Sequence, residues 1–159
     1  MCGVVGYIGD KQAAPILLEA LKKLEYRGYD SAGVAVIDGG EIGVKKMRGR
    51  LQLLCDHTHD GLDVPGSIGI GHTRWATHGE PSDRNSHPHL SNNGRFAVVH
   101  NGIIENFREL RAELAAAGLS FESETDTETV ALLARHYIDQ GDTPIEAARK
   151  TLKRLRGAF

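Results

Sequence analysis

The chain has 159 residues, 40% of them hydrophobic and 25% charged, which suffices to bury the core of one domain spanning residues 1–159. With 19 Lys plus Arg against 21 Asp plus Glu, the net charge of −2 offers no basic surface for nucleic acid. No apolar run reaches membrane-spanning length, and no signal-like segment precedes Cys2. We therefore predict a cytoplasmic protein without membrane or nucleic-acid partners.

Strands and one helix are predicted in the first part of the chain. Residues 3–8 form an apolar, strand-like run. A helix follows, and its apolar stripe consists of Ile16, Leu17, Ala20, Leu21 and Leu24. Residues 34–37 predict a buried strand, and Asp38-Gly39-Gly40 predicts a hairpin leading into a strand near 41–48.

Two further strands, at 67–72 and 95–100, precede a helical region. Its three helices begin at the cap residues Asn106, Thr125 and Thr143. The last two have a glutamate three residues after the cap, which is the spacing of a capping box. Because the strands cluster early, with helices between and after them, the pattern indicates α+β layers rather than regular βαβ alternation.

Cys2 directly follows Met1, a position that suggests a nucleophile. If Met1 is removed, one residue offers a thiol and an α-amine whose unperturbed pKa of about 8 suits it to accept the thiol proton. The alternative is a small core hydrophobe, because Cys2 opens an apolar run. Cys55 lies on an apolar helix flank and is predicted to be structural. A Cys2–Cys55 disulfide is possible by count, but two cysteines without a signal peptide fit a reducing compartment better.

Three polar positions have the chemistry of a substrate site. Arg74 offers a planar donor fork for a carboxylate, and its alternative is a surface ion pair. Asp126 could accept hydrogen bonds from an ammonium group, or could simply compensate a helix dipole. Asn101-Gly102 supplies the amide and unhindered N–H typical of an oxyanion hole, although Asn-Gly is also a strong turn signal.

The histidines do not predict a metal site. They are grouped as His57 and His59, His72 and His78, and His87 and His89. No Cys, Asp or Glu joins them at a recognised zinc spacing, so neither a metal nor another cofactor is predicted. Trp75, the only tryptophan, is interpreted either as core packing or as an amphipathic lid.

Five segments combine into a single pattern. They are Met1-Cys2-Gly3, Arg27-Gly28-Tyr29-Asp30-Ser31-Ala32-Gly33, His72–Pro81, Asn101-Gly102 and Thr125-Asp126-Thr127-Glu128. In order and over nearly the whole chain, the pattern closely resembles the glutaminase domain of the glucosamine-6-phosphate synthase family, the glutamine:fructose-6-phosphate amidotransferases. The resemblance implies an αββα four-layer sandwich of the N-terminal-nucleophile hydrolase type, with two antiparallel sheets faced by helices. It also implies that the domain continues beyond Phe159, so we expect its last strands to be missing.

The resemblance assigns the reaction to Cys2. After removal of Met1, Cys2 would attack the side-chain amide of L-glutamine to form a thioester, with its own α-amine as base and then as acid to the leaving ammonia. Asn101 and Gly102 would hold the oxyanion. Arg27 would support the nucleophile.

The resemblance also assigns substrate binding. Arg74, with Thr77 and His78, would bind the α-carboxylate of glutamine. Asp126, with the Gly102 carbonyl, would bind the α-ammonium group. Trp75 would belong to a mobile cover over the site.

In the family, ammonia passes to a sugar isomerase domain that aminates fructose 6-phosphate, and we expect the full-length protein to be a homodimer. The present chain would act at most as a glutaminase. The nearest alternative is the glutaminase domain of a phosphoribosyl-pyrophosphate amidotransferase, which also carries an N-terminal Cys and Arg-Gly-x-Asp-Ser-Ala-Gly. A glutamine-binding module without turnover and a His-rich metal binder are alternatives from other classes.

Overall fold

The computed structural model describes residues 2–76 and 78–159, which divide into two compact units, Met1–Pro88 and His89–Phe159. The first unit contains β1 (Gly3–Ile8), α1 (Ala13–Lys22), a 3-10 turn (Glu25–Arg27), β2 (Ser31–Asp38), β3 (Glu41–Arg48), α2 (Leu51–His57) and β4 (Ile68–Arg74). Its strands form one antiparallel sheet in the order β1-β4-β2-β3. The predicted strands 3–8, 34–37, 41–48 and 67–72 are thereby confirmed.

The core of the first unit lies between one face of this sheet and the helices α1 and α2. Leu17, Leu18 and Leu21 of α1 are buried together with Val34 and Val36 of β2. The predicted stripe of α1 is therefore correct for two leucines and wrong at its margins. Ile16 and Ala20 are only half-buried, whereas Leu18, absent from the predicted stripe, is fully buried.

Cys55 belongs to the same core, as predicted for a structural thiol. Its side chain is 1% exposed, and burial raises the pKa of the thiol despite an opposing effect of Lys22. Both Cys2 and Cys55 are free, so the alternative of a disulfide between them is wrong.

Gly33 of β2 allows the chain around His87 to approach the sheet closely. A Cβ atom at this position would collide with the carbonyl oxygen of His87 and lie 2.7 Å from the Cβ of Lys46. Because the first obstacle is backbone, neither side can yield without moving a strand or the loop.

We expect the substitution Gly33→Ala to lower the free energy of unfolding by about 2 to 3 kcal/mol, the cost typical of overpacking a core. Urea denaturation would measure the loss. Gly43→Ala is the matched control, because a Cβ there comes no closer than 3.9 Å to a neighbour, the carbonyl oxygen of Val36. Equal stabilities of the two variants would contradict the prediction.

The second unit contains β5 (His89–Leu90), β6 (Ala97–Val98), α3 (Phe107–Ala116), α4 (Asp126–Asp139) and α5 (Pro144–Arg154). The two short strands pair antiparallel as a separate sheet. Leu110 and Leu114 of α3 pack with Leu132 and Leu133 of α4 as its core. The strand predicted at 95–100 is thus shorter than expected, and His100 lies beyond the ladder and contacts the hydroxyl of Thr127 instead.

The caps of α4 and α5 differ in their completeness. Thr143 forms the full predicted capping box with Glu146. Thr125 accepts the Glu128 N–H as predicted, but the Glu128 carboxylate accepts hydrogen bonds from the preceding loop rather than returning to the cap residue. Only half of the box predicted at Thr125 therefore forms. None of the helices in the described ranges is both long and apolar enough to cross a membrane.

Candidate functional site

Pairing of β1 with β4 brings Cys2 to the backbone of Trp75. Gly3 lies opposite Thr73, and its N–H donates to the Thr73 hydroxyl at 3.1 Å. Just beyond this pair, Cys2 precedes β1 and Trp75 follows β4. The Trp75 N–H donates to the Cys2 sulfur at 3.0 Å, and the sulfur lies 3.7 Å from the Trp75 carbonyl oxygen. Cys2 is half-buried and lies outside the hydrophobic core of the sheet. The interpretation of Cys2 as a core hydrophobe is therefore wrong.

Asp30 contacts the backbone next to Trp75, on the side opposite Cys2. Its carboxylate accepts a hydrogen bond from the Ala76 N–H and another from the Ser31 hydroxyl, the latter at 2.9 Å. Its backbone N–H donates to the Arg74 carbonyl at 3.1 Å. Sequence reasoning included Asp30 in a motif but gave it no role, because its contacts with Arg74 and Ala76 join positions more than forty residues apart in the chain.

Arg74 is 3% exposed at the end of β4, so it does not form the surface ion pair considered as the alternative. Its Nη2 atom donates to the carbonyl oxygens of His78 and Gly79, the latter at 3.0 Å. The guanidinium thus braces the turn that follows Trp75, with His78 half-buried beside it. Binding of a carboxylate by Arg74 and His78 stays a prediction, and Thr77 lies outside the described residues.

Trp75 is 51% exposed, which excludes the interpretation as core packing. Its indole meets the Tyr29 ring edge-on, with centroids 5.4 Å apart and planes at 82°. Arg27 is also exposed, and its guanidinium lies over the Tyr26 ring and donates from Nε to the Tyr26 hydroxyl at 2.9 Å. The cover role of Trp75 and the supporting role of Arg27 stay predictions.

In the second unit, Asp126 joins two of the polar segments singled out from the sequence. It is the first residue of α4, only 4% exposed, and its Oδ2 atom accepts the Ile104 N–H at 2.8 Å. Its Oδ1 atom lies 3.5 Å from the Thr127 hydroxyl. Asp126 therefore does more than compensate a helix dipole, because it also anchors the loop that carries Asn101 and Gly102.

The other side of this loop is held by residues 154–159. Gly102 has a φ of +135°, and a Cβ atom there would lie 2.7 Å from the Phe159 Cα. The Ile103 N–H donates to the Ala158 carbonyl at 3.3 Å. A glycine is thus required both by the backbone conformation and by the neighbouring chain. Asn101 and Gly102 themselves are exposed.

Asn106 also connects this loop to the segment after α5. It was predicted to cap α3, and it occupies the N-cap position, but its side chain makes no capping hydrogen bond. Its amide instead donates to the Arg154 carbonyl at 2.9 Å and accepts the Arg156 N–H at 2.9 Å. The prediction of a capping role was wrong because a distant partner takes the side chain that local spacing assigns to the helix.

His100 is a further residue of this loop that sequence reasoning missed, although it directly precedes Asn101. Its Nδ1 atom lies 3.0 Å from the Thr127 hydroxyl. Burial lowers the pKa of His100, and the negative charge of Asp126 opposes that shift. Burial thus favours the neutral ring, and the Thr127 hydroxyl lies between His100 and Asp126.

The remaining histidines do not assemble a metal site within the described residues. His72 and His87 stack with ring centroids 4.2 Å apart, and His59 pairs with Asp63 on the surface. Across residues 2–76 and 78–159, no three His, Cys, Asp or Glu side chains group in a way that could hold a metal ion.

Comparison with known proteins decides the family. The profile of the glutamine amidotransferase domain matches residues 72–159, which is more than half of the chain. The chain belongs to the glutamine amidotransferase domain family. Curated proteins named glutamine–fructose-6-phosphate aminotransferase [isomerizing] are 60% identical in Caldanaerobacter subterraneus subsp. tengcongensis, 56% in Aquifex aeolicus and 55% in Brucella suis. Each match covers the whole chain but only 26% of the relative.

Solved structures agree with this family. The glutamine phosphoribosylpyrophosphate amidotransferase of B. subtilis matches 99% of this chain and 34% of its own, with a TM-score of 0.83 and 29% identity. A structure described as the allosteric regulatory enzyme of purine biosynthesis matches the same shares, with a TM-score of 0.84 and 31% identity. The predicted α+β fold, with two antiparallel sheets in the class of the N-terminal-nucleophile amidotransferases, is confirmed. The resemblance to the glutaminase domain of the glucosamine-6-phosphate synthase family is confirmed as well.

Each unit contains one cluster of the polar residues singled out from the sequence. The first unit contains a half-buried thiol that accepts the Trp75 N–H, and a buried arginine, Arg74, that directly precedes Trp75. The other supplies a buried carboxylate at a helix N-terminus and a glycine-containing loop that this carboxylate anchors.

Proposed function

We propose that this domain hydrolyses L-glutamine to glutamate and ammonia with Cys2 as the nucleophile. The observation that carries the proposal is the position of Cys2. It is half-buried directly before β1, and its sulfur accepts the Trp75 N–H at 3.0 Å. The thiolate is the reactive form of cysteine, and a backbone N–H aimed at the sulfur is a donor for its negative charge. Partial exposure leaves the sulfur open to a substrate, unlike the buried sulfur of Cys55.

The reaction proceeds in two steps through a thioester. Once Met1 has been removed, the free α-amine of Cys2 takes the thiol proton, and the sulfur attacks the Cδ carbon of glutamine. Asn101 and Gly102 stabilise the oxyanion that forms. The C–N bond then breaks, and the proton held by the amine passes to the leaving ammonia. Water attacks the thioester in the second step, which releases glutamate and regenerates the Cys2 thiol.

Substrate binding uses charges at both ends of the amino acid. Arg74, with Thr77 and His78, binds the α-carboxylate, and a buried guanidinium suits that role because burial strengthens a charge-assisted hydrogen bond. Asp126, with the Gly102 carbonyl, binds the α-ammonium group. Because water must be excluded until ammonia has left, the exposed Trp75 closes over the site while Arg27 supports the nucleophile end.

In the longer protein, we propose that ammonia is delivered to a sugar isomerase domain that aminates fructose 6-phosphate. The chain spans 26% of the length of the curated aminotransferases that it matches, so such a domain would lie outside it. A homodimer and a cytoplasmic location belong to this proposal for the whole protein. The identity of 60% to a fructose-6-phosphate aminotransferase, against 29% to the B. subtilis phosphoribosylpyrophosphate amidotransferase, favours the sugar over the phosphoribosyl acceptor.

Labelling with a glutamine analogue that carries an electrophilic diazoketone tests the proposal. We expect one label on Cys2, located by mass spectrometry, and protection by L-glutamine but not by L-asparagine. The buried Cys55 is an internal control that stays unlabelled. Cys2→Ser should lose both labelling and glutamine hydrolysis. A module that only binds glutamine would show protection of Cys2 without ammonia release, and labelling that glutamine does not block would refute the proposal.

A further inference from the structure

We propose that Asp30 is a positioning residue that aims the Trp75 N–H at the Cys2 sulfur. The inference deepens the proposed function, on which it rests, because it concerns the reactivity of the same nucleophile. Asp30 is the residue before β2 and is half-buried, and no role in the reaction has been assigned to it above. Its contacts differ from those of a simple turn residue because they hold the two peptide groups on either side of Trp75.

The first peptide group joins Arg74 to Trp75. Its carbonyl accepts the Asp30 N–H at 3.1 Å, and its N–H donates to the Cys2 sulfur at 3.0 Å. In a trans peptide the C=O and N–H bonds point in opposite directions. Asp30 and Cys2 therefore hold opposite edges of one rigid plane, so the Asp30 contact fixes the direction of the N–H that reaches the sulfur.

The second peptide group joins Trp75 to Ala76. Its N–H donates to the Asp30 carboxylate, and its carbonyl oxygen lies 3.7 Å from the Cys2 sulfur. Here too, Asp30 and Cys2 contact opposite edges of one peptide plane. Rotation of either plane would need a charge-assisted hydrogen bond or a backbone hydrogen bond of Asp30 to break.

Asp30 is itself held in place from two directions. The hydroxyl of Ser31, which is fully buried, donates to the carboxylate at 2.9 Å. The Gly49 N–H donates to the Asp30 carbonyl at 2.7 Å. The carboxylate is thus oriented by Ser31 and the backbone by the end of the β3 strand, which makes Asp30 a fixed support rather than a mobile surface acid.

Removal of the Asp30 charge has two opposing effects on the pH at which the Cys2 thiolate forms. The direction of the net change distinguishes the positioning role from a purely electrostatic effect. A carboxylate disfavours a nearby thiolate through space, so its neutralisation alone would make the thiolate form at lower pH. Loss of positioning weakens the Trp75 donor and makes the thiolate form at higher pH. The proposal holds that the second effect prevails in Asp30→Asn. A neutral amide oxygen holds the Ala76 N–H less strongly than a carboxylate does, and the amide nitrogen replaces one of the two oxygens that accept hydrogen bonds.

The experiment follows the rate of Cys2 alkylation by iodoacetamide against pH, in chains shown by mass spectrometry to begin at Cys2. The rate tracks the thiolate fraction. We expect Asp30→Asn to raise the midpoint by about half to one pH unit and to lower kcat for glutamine about tenfold, with KM changed less than about threefold. Ser31→Ala should raise the midpoint by a smaller amount. Asp38→Asn, at the exposed opposite end of β2, should leave the midpoint unchanged.

A midpoint that falls or stays constant in Asp30→Asn would overturn the proposal. If that variant does not fold, as judged by its thermal transition, Ser31→Ala decides in the same way, with an upward shift supporting and an unchanged midpoint refuting it. A raised midpoint in a protein whose parent chain releases no ammonia would reject the proposed hydrolysis while retaining the positioning role. If the parent chain hydrolyses glutamine but Asp30→Asn leaves the alkylation midpoint unchanged, the proposed hydrolysis is retained and the positioning role is rejected.

Discussion

A chain that retains Met1 is expected to hydrolyse glutamine at less than about one-hundredth of the rate of a chain that begins at Cys2. With Met1 in place, the nitrogen of Cys2 belongs to a peptide bond and is no longer basic. The half-buried sulfur would still accept the Trp75 hydrogen bond, but it would lose the group proposed to take its proton and deliver it to ammonia. Removal of one residue would therefore act as an activation step.

The two forms can be prepared from one gene, by treatment with a methionine aminopeptidase or by a protease that leaves Cys2 first. Mass spectrometry of the N-terminus and ammonia release measure the composition and the rate. Cys2→Ser, prepared in the same two forms, controls for changes outside the thiol, and both of its forms should be inactive. Equal rates from the Met1-bearing and Cys2-first chains would remove the α-amine from the mechanism.

Substitution of Asp126 is expected to have the second large effect. We predict that Asp126→Asn lowers kcat/KM for glutamine about 100-fold, chiefly through KM, because the buried negative charge that binds the substrate ammonium group is lost. An asparagine oxygen can still accept the Ile104 N–H that the Oδ2 atom accepts at 2.8 Å. The variant therefore separates the charge from the anchoring of the loop, whereas Asp126→Ala removes both and should also lower stability.

Asp139→Asn provides the matched control, since Asp139 ends the same helix and is paired with Arg135 on the surface. Its KM should equal that of the parent chain. Removal of the Asp126 charge should also lower the pKa of His100 further, because that charge opposes the effect of burial, and NMR titration can follow the shift. Identical KM values for Asp126→Asn and Asp139→Asn would show that the ammonium group is bound elsewhere.

The parts of the structure that could be predicted from sequence are those set by neighbouring residues. The capping box of Thr143 needs only positions three residues apart, and it forms as predicted. The hairpin between β2 and β3 depends on the turn at Asp38-Gly39-Gly40 and is also correct. The candidate role of Cys2 came from its position beside Met1, which requires no knowledge of the fold.

The parts that sequence could not supply depend on partners far along the chain. Asn106 has the spacing of a helix cap, yet its amide binds residues 154 and 156, nearly fifty positions away. Asp30 reaches Ala76 over a similar separation, so no local pattern distinguishes it from a turn residue. The strand predicted at 95–100 shortens because apolar periodicity cannot report that His100 will contact Thr127 instead of a neighbouring strand.

The contact between Gly102 and Phe159 has a practical consequence for protein engineering. A C-terminal tag would extend directly from a residue whose Cα lies 2.7 Å from where a Gly102 side chain would begin. An N-terminal tag would block the amine of Cys2. Affinity handles and immobilisation sites are therefore better inserted between Gly39 and Gly40. The positive φ values of these two residues require glycine, but the turn is exposed and has open space around it.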